Sequence, residues 1–112
     1  MKKIEAVIQP FKLDEVRQSL VDAGVSGMTV LEVRGRGSQH ETGLLYRGVE
    51  SETWPTAKLK IEVVVGDRDL AEVLAAIRQA AWTGRSGDGK IFVSDVVEAI
   101  RIRNDQRDEA AV

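Results

Sequence analysis

Apolar residues near the start of the chain recur at two different spacings. Residues 3–8, KIEAVI, alternate in polarity, which indicates a half-buried strand that Pro10 stops. Apolar residues three and four positions apart then predict a helix through Leu13, Val16, Leu20 and Ala23. Gly24 is typical of a helix C-terminus, and residues 28–34 are β-branched and apolar enough for a second strand.

The second half of the chain repeats this order. Residues 58–65, KLKIEVVV, alternate and predict a third strand. A helix with Asp67 or Asp69 as its N-cap is predicted next, with apolar positions at Leu70, Val73, Leu74, Ile77 and Ala81. Residues 91–93 predict another strand. Residues 99–103, AIRIR, predict a last short strand with its isoleucines on one face and its arginines on the other.

The two halves therefore read as a duplicated βαβ unit. Right-handed crossovers in both units give an α+β, ferredoxin-like βαββαβ sandwich, with one antiparallel sheet and both helices on the same face. The other face would present Val7, Val64 and either Ile91 or Phe92. Those residues are too apolar for water, so we expect further copies of the chain to cover that face.

Residues 35–57 show no sustained period and predict a long loop, which in a small domain is usually functional or disordered. The charged tail, from about 104 to 112, is predicted to be loosely ordered. The chain has 112 residues, which suits a single domain over 1–112.

Composition narrows the function classes. The absence of Cys excludes disulfides and thiolate metal sites, and the lack of a long apolar stretch predicts a cytoplasmic protein. A formal charge of −2 argues against general affinity for nucleic acid. No nucleophile stands beside a base, and the single histidine, His40, falls in the long loop, so we predict no enzyme activity. A ferredoxin-like RNA-binding module stacks bases on aromatic residues of its sheet, and only Phe92 lies near a predicted strand, so we do not expect RNA binding.

Residues 83–93, TGRSGDGKIFV, contain the most distinctive local pattern. Glycines leave room for close approach to backbone N–H groups, and Lys90 places a cation at the loop's exit, which together indicate a phosphate cradle. A helix C-terminus followed by a tight turn explains the same glycines without any ligand. The spacing is not that of a P-loop, so this stretch alone leaves both interpretations open.

The whole chain resembles the PII nitrogen-regulatory signal transduction proteins. TGRSGDGKIFV is similar to the family's C-terminal signature, and YRGVES at 46–51 is similar to a variant of its T-loop signature. Supporting stretches are MKKIEA, PFKLDEVR, GMTVLEVRGRG and IRIR. The resemblance implies a homotrimer that binds ATP or ADP, Mg²⁺ and 2-oxoglutarate. Its T-loop, about 37–57, would regulate a target such as an ammonium transporter or a nitrogen-metabolism enzyme. The alternative is a variant that senses adenine nucleotides for a partner outside nitrogen metabolism.

The resemblance also implies site residues. Those for the nucleotide are Thr29, Gly35, Gly37, Ser38, Glu62, Val64, Gly87, Asp88, Gly89, Lys90, Arg101 and Arg103. Among them, a neighbouring subunit would supply Thr29, Gly35, Gly37, Glu62 and Val64. Gln39 and Lys58 would bind 2-oxoglutarate, with Gln39 also reaching the Mg²⁺ carried by ATP. Without the resemblance, Gln39 reads as a solvated loop residue and Lys58 as a strand-edge charge that discourages aggregation.

The T-loop departs from the family pattern. Ser38 stands where arginine is typical, and Ser51 replaces the tyrosine that some members have uridylylated. The residues expected to contact a partner are Tyr46, Arg47, Gly48, Ser51 and Trp54. Trp54 either anchors that interface or folds back on its own subunit, whereas Trp82 is expected to pack. We expect signalling by loop conformation, with phosphorylation of Ser51 as the rival mechanism.

Overall fold

The structure, a computed structural model, describes residues 1–36, 45–46, 49–50 and 56–112. Its strands are β1 (Lys2–Ile8), β2 (Thr29–Gly35), β3 (Leu45–Tyr46), β4 (Val49–Glu50), β5 (Thr56–Val65) and β6 (Lys90–Asp95). The α-helices are α1 (Leu13–Asp22) and α2 (Leu70–Ala81), and short 3-10 turns lie at Pro10–Lys12, Asp67–Asp69 and Asp108–Ala111. Within these ranges, neither α-helix has the length and apolarity needed to cross a bilayer.

The four long strands form one sheet in the order β2-β5-β1-β6, and all neighbours are antiparallel. Each helix connects two strands that flank a third, which is the split βαβ arrangement on both sides of the duplication. The predicted ferredoxin-like fold is therefore confirmed.

One face of this sheet forms the core with the two helices. Ile4, Ala6 and Ile8 of β1 are at most 1% exposed, which confirms the alternation predicted for the first strand. The core is completed by Ile61, Val63 and Val65 of β5, by Val16 and Leu20 of α1, and by Val73, Ile77 and Ala81 of α2. The helix positions are those predicted at spacings of three and four, because only that stripe of each helix reaches the sheet.

The opposite face of the sheet, here called the open face, is more polar at its centre than the sequence predicted. Glu5 lies directly opposite Glu62 in the β1–β5 register. Lys60 Nζ lies 3.2 Å from Glu5 and 3.6 Å from Glu62, and Lys3 Nζ lies 3.4 Å from Glu62. The two lysines offset a like-charge pair that would otherwise destabilise the central strands. Phe92 is on this face, 57% exposed, whereas Ile91 packs against the core.

The ends of the helices confirm one prediction and correct another. Gly24 follows α1 with a φ of +84°, as expected for a C-terminal glycine. Neither Asp67 nor Asp69 makes a side-chain cap on the second helix. Asp67 instead accepts a hydrogen bond from the N-terminal amine at 2.9 Å, because the 3-10 turn before α2 brings this carboxylate to the start of β1.

The predicted strand over 99–103 is wrong. Ile100 makes a single antiparallel bridge with Arg107, and the backbone N–H of Arg101 donates to Gln106 O at 2.9 Å. These residues thus begin a short return of the chain that does not join the sheet. Alternating polarity favours a strand only where another strand is available to pair with it. Within the described part of the chain, no strand of the sheet pairs with this segment.

The tail after residue 103 folds back through backbone hydrogen bonds. The N–H of Asp108 donates to Ala99 O at 2.8 Å, and the 3-10 turn Asp108–Ala111 follows. The long loop is also shorter than predicted, since Gly35 ends β2 and Thr56 and Ala57 begin β5. Within it, β3 pairs with β4.

Candidate functional site

A glycine loop, residues 82–89, connects the C-terminus of α2 to the start of β6. It lies at one end of the sheet, here called the loop end, together with the C-terminus of β1, the C-terminus of β2 and the N-terminus of β5. Three of its residues, Gly84, Gly87 and Gly89, have positive φ values of 83°, 99° and 88°. Such φ values suit glycine, so the loop's path depends on these residues.

Gly89 makes the closest approach of this loop to the sheet. A Cβ atom placed on Gly89 would lie 1.7 Å from the carbonyl oxygen of Val7 and 2.7 Å from its carbonyl carbon. These are backbone atoms of β1, which cannot move aside as a side chain would. Gly89 therefore lets the loop turn directly into β6, whose first residue, Lys90, pairs with Val7.

The Asp88 side chain closes the loop on itself. Its Oδ2 accepts hydrogen bonds from the backbone N–H groups of Thr83 at 2.8 Å and Gly84 at 2.9 Å, and its Oδ1 accepts one from the Thr83 hydroxyl. Burial raises the pKa of this carboxyl, but the hydrogen bonds from Thr83 and Gly84 and the charge of Lys12 outweigh burial, and the pKa is lowered. The carboxylate is thus held ionised inside the loop.

The side chain of Lys58, on β5 of the sheet, forms a hydrogen bond to the same loop. Its residue is 5% exposed, and its Nζ donates to the carbonyl oxygen of Gly87 at 2.7 Å. Gly35 lies beside it, since a Cβ on Gly35 would be 3.7 Å from Lys58 Cγ. The interpretation of Lys58 as an edge residue is wrong because β5 is a central strand and the side chain is buried. Burial lowers the pKa of Lys58, partly offset by the charge of Asp88.

This arrangement leaves backbone donors for an anion. Within the described residues, the N–H groups of Gly87, Asp88 and Gly89 donate to no protein acceptor. Lys58 fixes the direction of the Gly87 carbonyl, so the Asp88 N–H in the same trans peptide points in the opposite direction. Lys90 follows immediately, is exposed, and makes no ion pair in the ranges that the structure covers. Successive N–H groups beside a cation form a phosphate-binding geometry.

Other predicted nucleotide residues lie at the opposite end of the sheet, here called the far end. A cleft of about 1190 Å³ at that end is lined by Thr29, Glu62, Val64 and Arg101, among others. Arg103 follows in the exposed turn after residue 101. Because β2 runs from Thr29 at the far end to Gly35 at the loop end over seven residues, these two residues of one chain are separated by about 20 Å.

Gly35 lies at a different end of the sheet from Thr29. The resemblance implied that both residues would lie around the base, ribose and phosphates as contributions of the neighbouring subunit. Within one chain, Gly35 is beside Lys58, at the same end as the glycine loop. An antiparallel strand puts its first and last residues at opposite ends of the sheet, so Thr29 and Gly35 of one chain belong to different groups.

Several predicted site residues lie outside the described residues. They are Gly37, Ser38, Gln39, Arg47, Gly48, Ser51 and Trp54, and His40 is outside them as well. Tyr46 has its backbone in β3, but its side chain is not among those described. The proposed Mg²⁺ contact through Gln39 falls in the same segment. In the ranges that the structure covers, no group of three His, Cys, Asp or Glu residues could hold a metal ion.

Two features of the site were not predicted from sequence. Thr83 was not singled out, although a threonine five residues before an aspartate can share a hydrogen bond across a short loop. Trp82 was expected to pack, yet it is 61% exposed. Its ring lies over Gly84, where a Cβ atom would come within 2.9 Å of Cζ2, because α2 ends at Ala81 and the backbone of Trp82 is extended.

The lowered pKa of Lys58 has a measurable consequence for stability. At pH values between the folded pKa and the ordinary value of 10.5, the unfolded chain binds more protons at this site than the folded chain. The contribution of Lys58 to the free energy of unfolding should therefore rise with pH across that window. Urea unfolding at several pH values should show this rise in the native chain and a smaller one in Lys58→Met. Equal slopes of the unfolding free energy against pH in the native chain and in Lys58→Met would contradict a buried Lys58 with a lowered pKa.

Comparison with known proteins gives consistent matches over the whole chain. The family model described as nitrogen regulatory protein P-II matches residues 1–106. Nitrogen regulatory protein P-II of Pasteurella multocida (strain Pm70) is 53% identical over 112 residues, which is 100% of both chains. Nitrogen regulatory protein P-II 1 of Escherichia coli (strain K12) is 50% identical over the same full lengths. The crystal structure of Arabidopsis thaliana PII bound to citrate has a TM-score of 0.82 and 35% identity, and it covers 99% of this chain and 91% of that one.

Proposed function

The chain belongs to the nitrogen regulatory protein P-II family, and from that premise we propose that it is a signal transduction protein that senses adenine nucleotides and 2-oxoglutarate. The observation that carries the proposal is the glycine loop, which presents consecutive backbone N–H groups beside Lys90. ATP or ADP would bind there through its phosphates. Backbone donors and a lysine are a recurrent way to bind phosphate.

The nucleotide site would be shared between neighbouring chains of a homotrimer. The glycine loop of one chain would bind the phosphates together with Arg101 and Arg103 of a neighbour, and Thr29, Glu62 and Val64 of that neighbour would contact the base and ribose. Within one chain Thr29 lies about 20 Å from Gly35, which is beside Lys58 at the loop end, and this distance supports the assignment of Thr29 to a neighbour. Guanidinium groups form strong charge-assisted hydrogen bonds with phosphate, which suits the two arginines.

Exposed apolar residues support the homotrimer. Phe92 on the open face is 57% exposed, and Val97, Ile100 and Ile102 near the C-terminus are 95%, 48% and 99% exposed. A single chain would leave these side chains in water. A symmetric assembly could cover the open face and the C-terminal segment together, which would also bring the two arginines to another chain.

2-Oxoglutarate would bind beside Lys58 at the loop end. Within the described residues, one of the three N–H donors of the Lys58 ammonium is used by Gly87 O, so two remain there for a carboxylate. Gln39 and the Mg²⁺ carried by ATP would bind the other end of the molecule. The Arabidopsis relative is bound to citrate, which is also a small polycarboxylate, and this supports a carboxylate site in the fold.

The partner protein would bind the segment 37–55 and contact it chiefly through Trp54 and Tyr46. Because Ser51 stands where uridylylated family members have tyrosine, we propose that ligand-dependent conformation carries the signal. The protein would therefore act as a regulator rather than as an enzyme.

Calorimetric titration tests the ligand assignments directly. We expect ATP and ADP to bind alone, and 2-oxoglutarate to bind only when Mg²⁺ and ATP are present, because the metal completes its site. Binding must then be reciprocal, so 2-oxoglutarate tightens ATP by the same factor. Equal binding of 2-oxoglutarate with ADP, or its survival after Gln39→Ala, would contradict the proposed site. A chain that binds neither nucleotide would contradict the function itself.

A further inference from the structure

The side chain of Asp88 is engaged within the glycine loop rather than with the proposed ligand. Its two carboxylate oxygens already accept three hydrogen bonds, from the N–H and hydroxyl of Thr83 and from the N–H of Gly84. These bonds tie residues 83 and 84 to residue 88 and form a closed ring at the base of the glycine loop. The carboxylate is therefore used within the protein, although it lies in the middle of a site that we expect to bind an anion.

We propose that Asp88 is a positioning residue for phosphate binding, and that its carboxylate holds the glycine loop in the shape that presents the N–H groups of Gly87, Asp88 and Gly89. This inference rests on the proposed function, because phosphate binding by the loop is its premise. It adds a separate role for the Asp88 side chain, whereas the resemblance to the family implied only that the residue lies at the nucleotide.

The conformational freedom of the loop explains why such a residue is needed. Gly84, Gly87 and Gly89 occur within six positions, and each has a positive φ. Glycine loses more conformational freedom on ordering than any other residue, so a loop with three of them would lose much of its freedom when a ligand binds. A ring closed before binding removes part of that cost, and the ligand then meets donors already in place.

Contacts outside the ring complete the fixed geometry. The Thr83 hydroxyl oxygen also accepts the N–H of Arg85 at 3.2 Å, which orders the next residue along the loop. Lys58 holds the Gly87 carbonyl, and Gly89 is packed against Val7 O. The peptide planes on both sides of Asp88 are thus constrained, and the Asp88 side chain is the link between them and the end of α2.

The Asp88→Asn variant separates the effect of the hydrogen-bond geometry on ligand binding from the effect of the carboxylate charge. Its side-chain oxygen can still accept the N–H groups of Thr83 and Gly84, and its amide can donate to the Thr83 hydroxyl oxygen. Alanine can do neither. Asp95→Ala is a matched control, since Asp95 is an exposed carboxylate at the far end of β6 that forms an ion pair with Lys2.

The experiment measures the affinity of the full-length chain and its variants for ATP and for inorganic triphosphate, well below each variant's unfolding midpoint. We expect Asp88→Ala to weaken both ligands about ten-fold or more, Asp88→Asn to stay within about three-fold of the native chain, and Asp95→Ala to match it. Amide hydrogen exchange at Thr83 and Gly84 should quicken in Asp88→Ala and be restored in Asp88→Asn.

Two outcomes would overturn this inference alone. Native affinity in Asp88→Ala would show that the ring is not needed for binding, and a lowered melting temperature beside it would make Asp88 a purely structural residue. Equal weakness of the alanine and asparagine variants would show that the charge matters rather than the geometry, as expected of a ligand to the metal. If the native chain binds neither ATP nor triphosphate, the proposed function fails and the inference fails with it.

Discussion

Replacing Gly89 by alanine is expected to destabilise the chain by on the order of 4 kcal/mol or more, an unusually large effect for one methyl group. The added Cβ would lie 1.7 Å from Val7 O, and residue 89 has a φ of +88°, where a side chain is strained. Relief would require β6 to move away from β1 at the Val7–Lys90 pair. Urea unfolding of the native and variant chains at equal protein concentration measures the difference.

Gly24→Ala is the matched control for backbone strain. Gly24 has nearly the same φ, +84°, but nothing lies within 4 Å of the position of its Cβ. We expect this variant to lose only about 1–2 kcal/mol, the usual cost of a left-handed non-glycine residue. The excess in Gly89→Ala is then the cost of the close approach to β1, and absence of a cooperative transition in that variant would agree with it. Equal losses in the two variants would show that this close approach does not limit stability.

Removing the cations that bind phosphate is expected to have the second largest effect. Lys90→Ala, or the double change Arg101→Ala with Arg103→Ala, should each weaken ATP and ADP alike. Removal of one charge-assisted hydrogen bond to phosphate should cost about 1.5–3 kcal/mol, which is ten-fold or more in affinity. Calorimetry on the separate variants measures this change. Unchanged affinity in either variant would remove the corresponding residues from the phosphate site.

Mixing the two variants tests whether two chains build each site. In any cyclic trimer that contains both, one loop with an intact Lys90 faces a neighbour with intact arginines. Random co-assembly at equal amounts should therefore restore native affinity at about one quarter of the sites. Each variant refolded alone is the control, and no high-affinity sites should appear there. If Lys90 and the arginines act within one chain, mixing restores nothing.

The alternation of polarity and the helical spacings identified the elements of the core, because burial selects for them residue by residue. Residues 3–8 and 58–65 could be read as strands, and the apolar stripes of both helices were correct, since each pattern reflects one face against the core. The same reasoning failed at 99–103. An alternating pattern states which face could be buried, but not whether a neighbouring strand exists to bury it.

The residues of the candidate site likewise fall into those that the sequence identified and those that it did not. Local residue type was enough to single out the glycines and Lys90, since a positive φ and a cation are properties of individual positions. The buried position of Lys58 and its bond to Gly87, 29 residues away, could not be read from neighbouring residues. Nor could the close approach of Gly89 to Val7, because it depends on which strand β6 pairs with.

By itself, the sequence determined the order of the two helices and the four long strands, the identity of the core and the presence of a glycine-rich loop before the last long strand. Only the tertiary structure decided which residues meet at each end of the sheet. It placed Gly35 with the glycine loop, separated both from Thr29 and Arg101, and turned Asp88 inward to close its own loop. The physical reason is the distance along the chain over which each effect acts. Periodicity and turn preference act between residues close in the chain, whereas the site is assembled by strand pairing and burial between residues far apart in it.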